Sequence, residues 1–260
     1  MEALEAILLG LVQGITEFLP VSSSGHLQIA KELLGVEIEN NITFDVTLHA
    51  ATVLSTIVVL WHELWKILKG AFSRTYNKEQ AYIVKVVLSM IPAGIIGVLF
   101  ADQIEALFSS LWFVGCMLLL TALLLSFAYY AKPRQKTEIS YRDAFLIGCA
   151  QAVATMPGLS RSGSTIATGL LLGNDKSSVA NFSFIMVIPV ILGKMLLDIV
   201  SGDMSAMSVP TDVLIYGFIS AFISGALACK FMIEIVKRGR LIWFALYCAV
   251  VGLICLFGTL

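Results

Sequence analysis

The sequence predicts an all-α polytopic membrane protein, with six transmembrane helices and two re-entrant helical hairpins arranged as an inverted-topology repeat. Three observations lead there. Of 260 residues, 58% are hydrophobic and 13% charged, and the mean hydropathy is +0.90, whereas a soluble domain carries about 25% charged residues. Lysine and arginine crowd into three loops and avoid two others. Two apolar stretches are interrupted by glycine, proline and serine, and they match each other at one constant offset. A soluble fold of this size cannot hide so much apolar surface. The net charge of −1 and the lack of a basic patch exclude a nucleic-acid binder, and the composition excludes a disordered chain.

Six stretches are long and apolar enough to cross a bilayer, which takes about 20 residues: 44–61, 83–101, 112–130, 180–200, 213–233 and 241–258. Trp61, Trp112, Tyr129, Tyr130 and Trp243 stand near their ends, as interfacial aromatics do. Loop 62–82 carries Lys66, Lys69, Arg74 and Lys78, loop 131–142 carries Lys132, Arg134, Lys136 and Arg142, and loop 230–240 carries Lys230, Lys237, Arg238 and Arg240. Loops 102–111 and 201–212 hold Asp102, Glu105, Asp203 and Asp212 and no basic residue. The positive-inside rule makes the first three loops cytoplasmic and the other two external. The broken stretches 3–34 and 143–173 must then dip in and return, from opposite faces, leaving both termini outside. MEALEAILLG has no positive n-region or cleavage signature, so no signal peptide is expected.

At an offset of 138 residues Gly10 meets Gly148, Gln13 meets Gln151, Ser22 meets Ser160 and Ser24 meets Ser162. Gly25, Leu33, Leu34, Gly35, Phe44 and Leu54 meet Gly163, Leu171, Leu172, Gly173, Phe182 and Leu192 at the same offset. Hairpin plus three spans, twice and in opposite orientation, is an inverted repeat with halves of about 1–130 and 139–260 in one membrane domain of 260 residues. Such repeats bring broken helices together near the midplane around a shared cavity.

The first tip contains Gln13, Glu17, Pro20, Ser22, Ser23, Ser24 and His26. Gln13 and Glu17 share a helix face at four-residue spacing, and a second helix is expected near Ser24 with a serine satisfying its free N–H groups. The second tip, Met156 to Thr165, contains Pro157, Gly158, Ser160, Arg161, Ser162 and Gly163, with its outgoing helix expected from near Ser162. Ionisable groups at membrane depth are expensive and mark function by default. Helix N-termini with hydroxyls and an arginine suit phosphate or pyrophosphate.

QGITEFLPVSSSGHL and PGLSRSGSTIATGLLLG closely resemble the two signature motifs of the undecaprenyl pyrophosphate phosphatases, the bacitracin-resistance family. The resemblance implies an integral-membrane hydrolase that converts a polyprenyl pyrophosphate lipid to its monophosphate for peptidoglycan and other cell-wall polymers. It also implies stimulation by Mg²⁺ or Ca²⁺ and a site open to the outer face of the cytoplasmic membrane. Carried onto this sequence, the E/Q-x-x-x-E element is Gln13 and Glu17, the essential histidine is His26 and the essential arginine is Arg161. Gln13 departs from a two-carboxylate metal site, leaving Glu17 as the acidic metal ligand, and Ser24 replaces a common threonine.

The catalytic set expected is Glu17, Ser23, His26 and Arg161, with Gln13, Ser22, Ser24, Ser160, Ser162, Gly163 and Thr165 binding substrate. Ser23 is the expected nucleophile with His26 its base, Glu17 orienting His26 or holding a divalent ion. Arg161 and the amides near Ser162 and Gly163 stabilise the equatorial oxygens. His26 as nucleophile, and water activated by His26 or Glu17, are rival assignments. A transporter or flippase of a phosphorylated lipid or anion is the alternative function, since it shares the architecture. A homodimer is compatible with either.

Outside the tips, Asp45 and His49 are expected to pair or touch the site, Lys85 to snorkel, Lys194 and Asp198 to form an ion pair, and His62 to be interfacial. The 64–72 segment is expected to be an amphipathic helix on the membrane surface. Cys116, Cys149, Cys229, Cys248 and Cys255 read as small packed hydrophobes.

Overall fold

The computed structural model describes residues 2–36, 42–107, 110–131, 136–200 and 209–257. Among these it is all-helical, with twelve helices: α1 (Ala3–Phe18), α2 (Ser23–Leu34), α3 (Ile42–Val59), α4 (Trp61–Ala71), α5 (Lys78–Leu99), α6 (Ala101–Leu107), α7 (Leu111–Tyr130), α8 (Tyr141–Val153), α9 (Arg161–Leu171), α10 (Lys176–Val200), α11 (Thr211–Arg238) and α12 (Ile242–Phe257). The six expected spans fall on α3, α5, α7, α10, α11 and α12. Four of these, α5, α7, α10 and α11, are long and apolar enough to cross a membrane by themselves. The α3 helix reaches that standard only together with α4, from which it is bent by 80°, and α12 has 16 residues. Asp45, His49, Thr52, Ser55 and Thr56 punctuate the apolar run of α3.

The outer surface is apolar, and the interior sets a group of polar side chains among its apolar core. Val98, Leu227, Trp243 and Phe257 are each more than 60% exposed, while Gln13, Glu17, Lys31, Gln151 and Ser164 are buried. Apolar surface on this scale marks a lipid-facing protein, and the chain is a multi-pass membrane protein. The bend after α3 lets α4 leave the bundle. None of its residues is buried, its Trp61 and Trp65 stack at 5.7 Å, and Lys69 lies over Trp65. It begins at Trp61, three residues before the expected amphipathic segment, with Leu60 at its N-cap position.

Small residues bring the helices together. The first hairpin helix α1 lies along α11, with Gly10 against Gly217 and Ser220 and Gly14 against Ser224 and Gly225. Ser220 Oγ donates across this contact to the Ile7 carbonyl at 2.7 Å. In the same way α8 lies along α5, where Gly148 meets the backbone of Ser89. A Cβ at Gly148 would stand 2.7 Å from Ser89 Cα, so Gly148→Ala is expected to cost about 1–3 kcal/mol by overpacking, seen as a lower unfolding temperature in detergent. The α7 and α12 helices cross at Gly115 and Gly252, where a Cβ on either would lie 2.9 Å from the other's carbonyl oxygen. Helix α3 joins α11 through Ser55 Oγ, which donates to the Phe222 carbonyl at 2.8 Å.

The remaining expectations divide. All five cysteines are free, with Cys229, Cys248 and Cys255 buried. Asp45 pairs with buried Lys31 at 2.7 Å and offers His49 only its backbone carbonyl. Lys85 stands 5.3 Å over the Tyr141 ring and His62 is exposed. The side chain of Asp198, and with it the Lys194 pair, lies outside the described residues, as do Lys132, Arg134 and Asp203.

Candidate active site

The two breaks that create the tips have different local causes. Leu19 precedes Pro20 and is extended at φ −69°, ψ 144°, as a residue before proline prefers, so α1 stops at Phe18. Ser22 then takes φ 71°, ψ 97° and is the one non-glycine residue with positive φ among the described residues. Its side chain caps α2 by accepting from Gly25 N at 3.3 Å, so this helix starts at Ser23, one residue before the expected place. At the second tip Gly158 takes φ +88° and packs on the Val114 backbone, where a Cβ would lie 2.7 Å from Val114 Cα. Ser160 caps α9 by accepting from Gly163 N at 3.0 Å, which starts that helix at Arg161.

A neighbouring span steadies each tip. Ser160 N donates to Thr121 Oγ1 of α7 at 3.0 Å. Cys248 of α12 donates to the Pro20 carbonyl at 3.5 Å. The tips also touch one another: Ser162 Oγ donates to the Leu19 carbonyl at 3.1 Å. A Cβ at Gly25 would meet Gly158 Cα, and one at Gly163 would meet Pro20 Cβ, both at 3.2 Å.

Glu17 is the centre of the arrangement. Its Oε2 accepts from Ser23 Oγ at 2.6 Å and from Gln13 Nε2 at 3.0 Å, and its Oε1 accepts from Arg161 Nη2. The ion pair joins the two tips, with the side chains of Arg161 and Glu17 only 18% and 6% exposed. Glu17, rather than His26, therefore holds the Ser23 hydroxyl. His26 turns the other way, its Nδ1 2.8 Å from the Ser22 carbonyl and its Nε2 2.8 Å from the Tyr247 hydroxyl. His49 of α3 stands within electrostatic reach of Glu17.

The expected binding residues separate by exposure. Ser23, Ser24, His26 and Arg161 are partly exposed. Ser22, Ser160, Ser162, Gly163 and Thr165 are buried and are used in capping and cross-linking. Thr165 faces away, sharing a 2.5 Å hydrogen bond with Ser183 of α10. Sequence reasoning missed Tyr247, Thr121, Ser183 and the Lys31–Asp45 pair. Tyr247 carried one signal, a hydroxyl inside the apolar run of α12.

Among the described residues no group of three or more His, Cys, Asp and Glu is placed to hold a metal. Gln13 Oε1 is nevertheless buried without a hydrogen-bond partner, one helical turn from Glu17. One carboxylate and one orphaned amide oxygen fit a cation that brings most of its ligands with a substrate's phosphates, as Mg²⁺ commonly does. They do not make an all-protein cage.

A partly exposed hydroxyl on a carboxylate, beside a guanidinium with N–H groups to spare, supplies the kinds of group that phosphoryl transfer uses. Residues 6–254 match the family described as bacitracin resistance protein BacA. The undecaprenyl-diphosphatase of Bacteroides fragilis is 60% identical over 258 residues, covering 98% of this chain and 97% of its own. That of Parabacteroides distasonis is 58% identical over 100% of this chain and 99% of its own. That of Methanococcus vannielii is 39% identical over 98% and 99%. The chain therefore belongs to the bacitracin resistance protein BacA family.

Proposed function

We propose that this protein is an undecaprenyl-diphosphatase, a membrane hydrolase that removes the terminal phosphate of undecaprenyl pyrophosphate and returns the monophosphate carrier to cell-wall synthesis. The observation that carries this reading is the chain Ser23–Glu17–Arg161, which joins a nucleophile, a base and a phosphate clamp across two hairpin tips. Near-full-length identity to undecaprenyl-diphosphatases supports the substrate.

Glu17 Oε2 takes the Ser23 proton as Ser23 Oγ bonds to the terminal phosphorus and the bridging oxygen departs with undecaprenyl phosphate. Arg161 touches Glu17 through one nitrogen, and its other N–H groups face the equatorial oxygens, where charge collects. His26, three residues beyond Ser23, serves the water that later releases phosphate from the serine. Glu17 and Gln13 Oε1 would hold a divalent cation, Mg²⁺ or Ca²⁺, which would supply neutralisation of the pyrophosphate oxygens.

The finer architecture belongs to the same reading: six spans, α1–α2 and α8–α9 as re-entrant hairpins, and halves of about 1–130 and 139–260 in inverted orientation. Its support is the equivalence of contacts at the 138-residue offset. Gly10 and Gly148, matched at that offset, each pack on a long helix, α11 and α5, and the Gly25–Gly158 approach corresponds residue by residue to Gly163–Pro20. Ser22–Ser24 and Ser160–Ser162 each share a 3.3 Å hydrogen bond, and Gly35 and Gly173 both have positive φ. The basic loops lie in the cytoplasm, and the site and both termini face outward from the cytoplasmic membrane.

Phosphate release from a polyprenyl pyrophosphate in detergent with Mg²⁺ or Ca²⁺ tests the function. Wild type is expected to release phosphate, and His26→Ala to be about 10²-fold slower or worse. Folded wild type that releases none with any metal overturns the reading.

A further inference from the structure

His26 is held at both ring nitrogens. A backbone carbonyl only accepts, so the Nδ1 contact with Ser22 at 2.8 Å requires the proton on Nδ1. In the neutral ring Nε2 then has a lone pair, and the Tyr247 hydroxyl at 2.8 Å donates to it. The rings also stack, with centroids 5.5 Å apart and planes 17° from parallel. The Ser22 backbone is itself unusual: its positive φ belongs to the turn whose carbonyl meets Nδ1. Tyr247 comes from α12, at the far end of the chain, and is 45% exposed.

We propose that Tyr247 is a positioning residue for His26, which fixes the plane of the imidazole and stays hydrogen-bonded to Nε2 through its protonation cycle. The chemistry of a phenol makes this workable. Towards neutral imidazole the hydroxyl donates. When a reacting water gives up a proton, the hydroxyl passes its own proton to Nε2 and takes the water's in exchange, and its oxygen then accepts from Nε2–H. Neither state leaves the half-buried ring unpaired, so His26 gains and loses a proton without reorienting. A second half of the chain thereby contributes to the histidine of the first. The inference rests on the phosphatase reading for its kinetic consequence alone.

Tyr247→Phe retains the stacked ring and deletes the hydroxyl. With the full-length protein in detergent and a polyprenyl pyrophosphate substrate, kcat is expected to fall roughly 10- to 100-fold, with KM within about twofold. In ¹⁵N-histidine spectra of substrate-free protein, His26, identified by its loss in His26→Ala, is expected as the Nδ1–H tautomer with a hydrogen-bonded Nε2. In Tyr247→Phe that Nε2 resonance is expected to move to the position of an unbonded lone pair. Wild-type kcat in the variant overturns the proposal, as does an unmoved Nε2 resonance. If the variant does not fold, the wild-type spectrum decides, because the Nε2–H tautomer or an imidazolium there overturns it equally. Should wild type release no phosphate, the functional reading fails while the spectra still test the contact.

Discussion

Arg161→Ala is expected to lower kcat/KM for phosphate release by about 10³-fold, the scale of a lost charge-stabilising donor in an enclosed site. A second effect accompanies it. Glu17 is 6% exposed at its side chain, and removing the partner of a buried ion pair costs about 3–5 kcal/mol unless the carboxyl takes up a proton. Activity and thermal stability therefore fall together in this variant. Arg161→Lys separates them, since it restores the charge beside Glu17 but not the planar fork that reaches carboxylate and phosphate simultaneously. It should unfold close to wild type and still lose roughly 10-fold or more in kcat/KM. Full activity in the lysine variant would mean that only charge, and no bidentate geometry, is used.

Ser23→Ala is expected to reduce kcat by roughly 10⁴-fold, as removal of a nucleophile does, with little change in KM and almost none in unfolding temperature. The hydroxyl is partly exposed and makes one hydrogen bond, to a carboxylate that keeps Gln13 and Arg161 as partners, so little structure depends on it. Rapid quenching of wild type with substrate radiolabelled in its terminal, β, phosphate should place phosphate on Ser23. If Ser23→Ala keeps activity within tenfold, attack is by water held on Glu17, and Ser23 only orients that carboxylate.

Much of this was legible from residue spacing. Gln13 and Glu17 lie four apart on α1 and hydrogen-bond as that spacing implies, and the two serine-rich breaks became helix starts within a residue of their expected places. The matched tips implied that Glu17 and Arg161 share a cavity, but not that they pair directly. What spacing could not reveal was direction. Whether the Ser23 hydroxyl points to Glu17 or to His26 depends on the rotated backbone at Ser22, and no sequence period encodes a single positive φ. The same limit hid Tyr247, which stands 221 residues from His26 on a helix whose apolar neighbours mask one hydroxyl. Lys31 was equally obscure, because its partner Asp45 lies beyond a loop and its burial is a tertiary result.

The Glu17–Arg161 pair also bears on how the chain assembles. Each hairpin tip carries one formal charge, Glu17 on the first and Arg161 on the second, and each is tolerable at membrane depth only beside the other. A nascent chain with the first hairpin inserted and the second still to come holds a carboxylate without its partner. A chain that threads the second hairpin wrongly never meets that guanidinium and stays less stable by several kcal/mol, on the order of the 3–5 expected for a broken buried pair. The site and the correct threading of the two hairpins thus depend on one bond.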